Sequence, residues 1–84
     1  MSARILCIED NTQNMRLVYK ILKHHEFEVI EAIDGLTGVD LANKENPDLI
    51  LMDINLPDID GLEATARIKA NAELRAIPVV ALTS

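Results

Sequence analysis

Three stretches of this chain are apolar without interruption, and each ends abruptly in groups that carry charge or a hydroxyl. Ile5-Leu6-Cys7-Ile8 stops at Glu9-Asp10, Leu49-Ile50-Leu51-Met52 stops at Asp53, and Pro78-Val79-Val80-Ala81-Leu82 stops at Thr83-Ser84. Runs of strand length with no polar alternation belong to strands covered on both faces, as in a parallel sheet between layers of helices. The intervening segments read accordingly. Residues 12–25 form a first helix, with Asn11 or Thr12 as N-cap. Its apolar residues Met15, Leu17, Val18, Ile21 and Leu22 cover an arc of roughly 160° at 100° per residue, wider than one sheet contact requires. Glu28–Ala32 interleaves polar residues and suits an edge strand. Asp34-Gly35 turns into a second helix running to about Asn46, where Pro47 stops it, because the residue before proline is disfavoured in the helical region. A loop from Ile54 to Asp60 leads through Gly61 into a third helix, about Leu62 to Asn71. Strands alternating with helices indicate βαβ units, and right-handed crossovers place helices on both faces of the sheet. The expected fold class is α/β, a doubly wound parallel sheet.

Composition narrows the function. Eighty-four residues allow one domain, 1–84, with no repeat or linker. The net charge of −6 argues against binding a polyanion through a broad basic surface. Tyr19 and Phe27 are the only aromatics, which argues against stacking bases, so no nucleic-acid partner is expected. Cys7 has no second cysteine to pair with, and no Cys/His pattern suggests zinc. The adjacent His24 and His25 point to different sides of a helix and read as facing bulk water. Residues 1–8 lack the apolar core of a signal peptide, and no apolar run approaches a membrane span. These features point to a soluble, acidic protein of a reducing compartment, the cytoplasm.

The strand ends carry the chemistry. Ligands of open parallel sheets bind at the carboxyl ends of the strands, where the strand order reverses. Glu9, Asp10 and Asp53 would converge there with the hydroxyls of Thr83 and Ser84. Any one of these acids alone is an ordinary solvated carboxylate or helix cap; all three at one edge is a different matter. Crowded carboxylates raise a pKa or recruit a cation. Oxygen ligands with open positions favour Mg²⁺ over Ca²⁺. A metal beside a free carboxylate and a hydroxyl suits phosphoryl transfer, with a carboxylate as nucleophile forming an acyl phosphate. Asp53 stands alone and is the better nucleophile; the paired Glu9 and Asp10 are the better metal ligands. Thr83 or Ser84 would donate a hydrogen bond to a phosphoryl oxygen.

Other phosphate and metal sites fit poorly. An EF-hand loop starting at Asp53 would meet Pro57 at a ligand position and Asp58 where glycine is required. A P-loop needs G-x-x-x-x-G-K-[ST], whereas the first strand is followed by Glu-Asp-Asn-Thr-Gln-Asn. Two acids after that strand would repel a flavin phosphate, and Cys7 to Asp10 lacks the D-x-D of a haloacid-dehalogenase-type phosphatase.

Ile5-Leu6-Cys7-Ile8-Glu9-Asp10-Asn11, Pro47 to Asp53, Asp53-Ile54-Asn55-Leu56-Pro57-Asp58-Ile59-Asp60-Gly61 and Ile77 to Thr83 together resemble the response-regulator receiver domain of two-component signalling. The resemblance covers the whole chain and implies a flavodoxin-like fold. It also implies that Asp53 takes a phosphoryl group from a histidine kinase or phosphotransfer protein, so that the domain is a phosphoacceptor regulator rather than an enzyme. By the same resemblance Asp10 binds Mg²⁺ directly, Glu9 largely through water, and Asn55 through its backbone carbonyl. Thr83 contacts the phosphoryl group, while Pro57 and Gly61 shape the loop, although proline and glycine are ordinary residues in any turn.

Receiver domains have five strands and five helices, and this chain ends after the fourth strand. An incomplete fold of four strands and three helices is therefore expected, without the fifth strand, the last two helices or the lysine that pairs with the phosphoryl group. Without the last helix, part of the wide apolar arc on the first helix would be left in water. The fourth strand would present an open edge, a template for pairing with another chain. Two functions follow: a phosphoacceptor domain, or a shortened receiver that works by protein–protein interaction and self-association with little phosphoryl chemistry. An external Mg²⁺-dependent hydrolase is disfavoured, since no histidine is positioned as a base.

Overall fold

The computed structural model describes residues 2–82. Within them the chain runs β1 (Arg4–Ile8), α1 (Thr12–His24), β2 (Glu28–Ala32), α2 (Gly35–Glu45), β3 (Leu49–Asp53), α3 (Gly61–Lys69) and β4 (Val79–Leu82). The four strands make one parallel sheet in the order β2-β1-β3-β4. This is the expected α/β architecture, and β2 lies at an edge, as its interleaved glutamates require.

Register explains why the apolar runs have no polar alternation. Leu6, Ile8, Ile30, Ala32, Ile50 and Met52 share one face through the pairs Leu6–Ile30, Leu6–Ile50, Ile8–Ala32 and Ile8–Met52. There they join Ala42 of α2 and Ala64 and Ile68 of α3 in the core. Each large side chain fully buried in this layer stabilises the fold by roughly 1.5–3 kcal/mol. The alternate residues Ile5 and Cys7 are equally buried on the opposite face.

α1 packs on that opposite face with only half of its arc. Met15 is buried and Val18 and Leu22 are half-buried, whereas Leu17 and Ile21 remain 59% and 51% exposed. The width of the arc therefore reflects two surfaces, one packed on the sheet and one in water. His24 and His25 are both exposed, as expected.

The helix ends follow local chemistry. Asn11, Asp34 and Asp60 cap α1, α2 and α3, each accepting from the amide three residues on. Asn46 leaves α2 in the left-handed region at φ 47°, a conformation asparagine tolerates better than most residues. α3 stops at Lys69, short of the expected Asn71. Asn71 instead caps a single 3₁₀ turn, Ala72–Leu74, that buries Leu74 completely. The Lys69 ammonium donates to the carbonyls of Leu74, Arg75 and Ile77 and ties this turn to the approach of β4. Among the described residues no helix is long and apolar enough to cross a membrane.

Candidate cation site

The chain leaves β1 for β2 on one side and reaches β3 on the other, so the strand order reverses around β1. This opens a crevice at the carboxyl ends of β1 and β3. Glu9 follows the last residue of β1, its amide still bonded to the carbonyl of Ala32 at 3.0 Å. Asp53 is the last residue of β3. The adjacent registers of the two strands bring these acids together, with Asp10 beside them. One carboxylate oxygen from each of Glu9, Asp10 and Asp53 lies within 4.8 Å of the others.

The three acids differ in exposure and support. Glu9 and Asp53 are 3% and 7% exposed, whereas Asp10 faces water. Each buried carboxylate is held by the amide two residues on. Asn11 N–H donates to Glu9 Oε1 at 3.1 Å, and Asn55 N–H donates to Asp53 Oδ1 at 2.9 Å. Burial pushes the Glu9 carboxyl above its usual range; the Asn11 amide opposes this, and the neighbouring charges of Asp53 and Asp10 reinforce it. The Cys7 thiol beneath is pushed up to about 12, first by burial and then by Glu9 and Glu31. It is a neutral, apolar packing group, not a nucleophile.

The ion pairs formed among the described residues join Arg4 to Glu28 and Glu45, and Arg67 to Glu63. None reaches the acid cluster. Oxygen-only donors, two of them buried and one open to water, fit a small hard divalent cation that keeps part of its water shell.

The cluster joins three of the expected residues: Glu9, Asp10 and Asp53. Asn55 is beside them through its backbone, and its exposed side chain plays no part in holding Asp53. Thr83 and Ser84 lie outside the described residues. No expectation from the sequence covered the amides of Asn11 and Asn55. Their signal is the spacing of two between each buried acid and a polar turn residue, the arrangement in which a side chain bonds its own backbone.

The response regulator receiver domain model matches residues 5–84. The polar-differentiation response regulator DivK of Brucella ovis is 44% identical over 84 residues, which is all of this chain and 68% of that protein. The receiver domain of a sensor histidine kinase from Pseudomonas aeruginosa, which holds a magnesium ion in its active-site cleft, superposes with a TM-score of 0.95 at 36% identity. The match covers 99% of this chain and 68% of that one. The chemotaxis response regulator CheY4 of Vibrio cholerae superposes with a TM-score of 0.94 at 25% identity, over all of this chain and 72% of that one.

Proposed function

Since the chain belongs to the response regulator receiver domain family, we propose that Asp53 is its phosphoacceptor and that Glu9, Asp10, Asp53 and the Asn55 carbonyl hold Mg²⁺ beside it. The observation that carries this reading is the convergence of three carboxylates within 4.8 Å at the strand-order reversal. The domain is a regulator, not an enzyme acting on external substrates. Its partner is a histidine kinase or phosphotransfer protein, and its setting is cytoplasmic. Residues 1–84 act as one receiver unit, spanning 68% of the length of the Brucella regulator.

The chemistry follows from the Asp53 carboxylate. Asn55 N–H occupies Oδ1 and fixes the plane of the group, so Oδ2 is the oxygen presented for attack. Oδ2 forms the new bond to phosphorus as the donor's bond to phosphorus breaks, and the donor leaves with that electron pair. The product is an acyl phosphate. When bound, Mg²⁺ offsets negative charge on the phosphoryl oxygens. Thr83 is the hydroxyl assigned to the phosphoryl oxygens by family resemblance.

The test is intact-mass measurement after incubation with a small-molecule phosphodonor and Mg²⁺. One phosphoryl adduct is expected, abolished by Asp53→Asn and by chelation. An adduct that survives Asp53→Asn overturns the assignment; no adduct at all favours a shortened receiver working through contacts.

That second reading has its own support. Among the described residues β4 pairs on one side only, with β3, and Val80 on it is 46% exposed. Leu17 and Ile21 of α1 add further apolar surface. Self-association through the β4 edge and this helix face would cover both. Light scattering should then show mass rising with concentration, and a constant monomer mass would end this reading.

A further inference from the structure

The loop between β3 and α3 carries Asn55, and it is fastened at both of its ends. At its start, Asn55 N–H donates to Asp53 Oδ1 at 2.9 Å. At its close, Gly61 N–H donates to the Ile54 carbonyl at 3.1 Å. A Cβ on Gly61 would lie 2.9 Å from Ile54 Cα and 3.0 Å from the Asp53 carbonyl oxygen, so only glycine permits this approach.

A third fastening reaches across the molecule. Asp58, near the tip of the loop, accepts from two amides in the first turn of α2: Gly35 N–H to Oδ1 and Leu36 N–H to Oδ2, both at 2.8 Å. Asp34 takes the next amide, that of Thr37, at 2.7 Å. Three amides that a helix start leaves without partners are thus satisfied by two carboxylates. The positive end of the helix also favours both charges. Partial desolvation works against the Asp58 carboxylate, yet the amides of Leu36, Gly35 and Ile59 and its own amide hold it below the usual range. A Cβ on Gly35 would lie 2.5 Å from Ile59 Cγ1 and 3.2 Å from Asp58 Oδ1, so a larger residue there would force the Ile59 side chain, and with it the loop tip, to shift.

We propose that Asp58 is a positioning residue for the cation site, setting the backbone at Asn55 by clamping the β3–α3 loop to the first turn of α2. The clamp bears on two groups at once. Asn55 offers its carbonyl toward the cation, a role that rests on the reading above, and its amide orients the Asp53 carboxylate. A loop released at Asp58 keeps its two hydrogen bonds beside β3 and α3 and the packing of Leu56 and Ile59 against the core, but loses its polar tie to α2, and the Asn55 peptide gains freedom. α2, which contributes no ligand, thereby acts on the site from across the fold.

The test is a Mg²⁺ titration of the wild-type chain, Asp58→Ala and Asp58→Asn, followed through the backbone amide resonance of Asn55 and run well below each unfolding midpoint. Removing a group that orients a ligand weakens metal binding by about 10–100-fold, and Asp58→Ala is expected at the lower end of that range. Asp58→Asn keeps one carbonyl oxygen for one amide and should recover part of the loss. The metal-free Asn55 resonance should also move in Asp58→Ala. If Asp58 only stabilises the fold, its variants lower the unfolding midpoint and leave the affinity and the Asn55 resonance of the folded protein as in wild type. That result overturns this proposal and leaves the phosphoacceptor reading standing. A wild-type chain whose Asn55 resonance ignores Mg²⁺ overturns both. Should Asp58→Ala fail to fold, Asp58→Asn alone decides, with wild-type affinity counting against the clamp.

Discussion

Where the strands of the sheet begin, Glu28, Glu45 and Asp48 surround Arg4; where they finish, Glu9, Asp10 and Asp53 surround one another. At the first end the Arg4 guanidinium meets the Glu45 carboxylate at 2.6 Å and Glu28 at 3.5 Å, and also donates to the Glu45 carbonyl at 2.5 Å. The Arg4 amide donates to Asp48 at 2.7 Å. One residue thereby ties β1 to β2, to the end of α2 and to the start of β3. At the second end the two buried acids receive a single backbone amide each and no cationic side chain among the described residues. A chain that compensates acids at one end of its sheet does not leave them uncompensated at the other through lack of means. Among the described residues the deficit is confined to this cluster, whose oxygen donors suit a hard divalent cation.

The contrast can be broken first at the compensated end. Arg4→Met keeps a long half-buried stem and removes the charge and its donors. Hydrogen bonds to charged groups are worth roughly 1.5–3 kcal/mol, so a loss of about 2 kcal/mol is expected in urea unfolding at neutral pH. A loss below about 0.5 kcal/mol, the ordinary range for surface substitutions, would mean that Arg4 stabilises nothing and that the two ends do not differ as described.

How much of this was legible in the chain depends on how far apart the interacting residues lie. The apolar runs fixed the strands because burial on both faces needs no partner to be named. The acids at their ends located the site because parallel topology brings strand termini together. Asn11 announced a helix start, since a cap bonds only three residues ahead, whereas Asp34 and Asp60 read only as turn and loop residues until the structure showed them capping α2 and α3. The 3₁₀ turn at Ala72–Leu74 was hidden, because three residues carry no periodicity and Leu74 is buried by tertiary packing. Asp58 was hidden more deeply: its partners Gly35 and Leu36 lie 23 and 22 residues away, and nothing local distinguishes it from a solvated loop acid. The α1 arc was legible only as a width. Its division into Met15, Val18 and Leu22 toward the sheet and Leu17 and Ile21 toward water required the neighbouring elements.

A smaller effect sharpens the contrast at the uncompensated end. Glu9→Gln keeps an oxygen for the Asn11 amide and removes one of the three crowded charges. Because folding raises the Glu9 pKa, the folded chain binds its proton more tightly than the unfolded one, whose value is about 4.3. Stability contributed by the protonated group is therefore full below that pH and falls as pH rises through the raised value. Without metal, wild type and Glu9→Gln should be equally stable under acid conditions and diverge toward neutral pH, with the variant ahead. Adding Mg²⁺ at neutral pH should reverse the order, because the amide supplies no charge to the cation and a ligand stabilises only the form that binds it. Thermal unfolding across pH, with and without Mg²⁺, measures all of this. A variant less stable than wild type in metal-free neutral buffer would show that Glu9 is compensated within the chain, and the two ends of the sheet would then be alike.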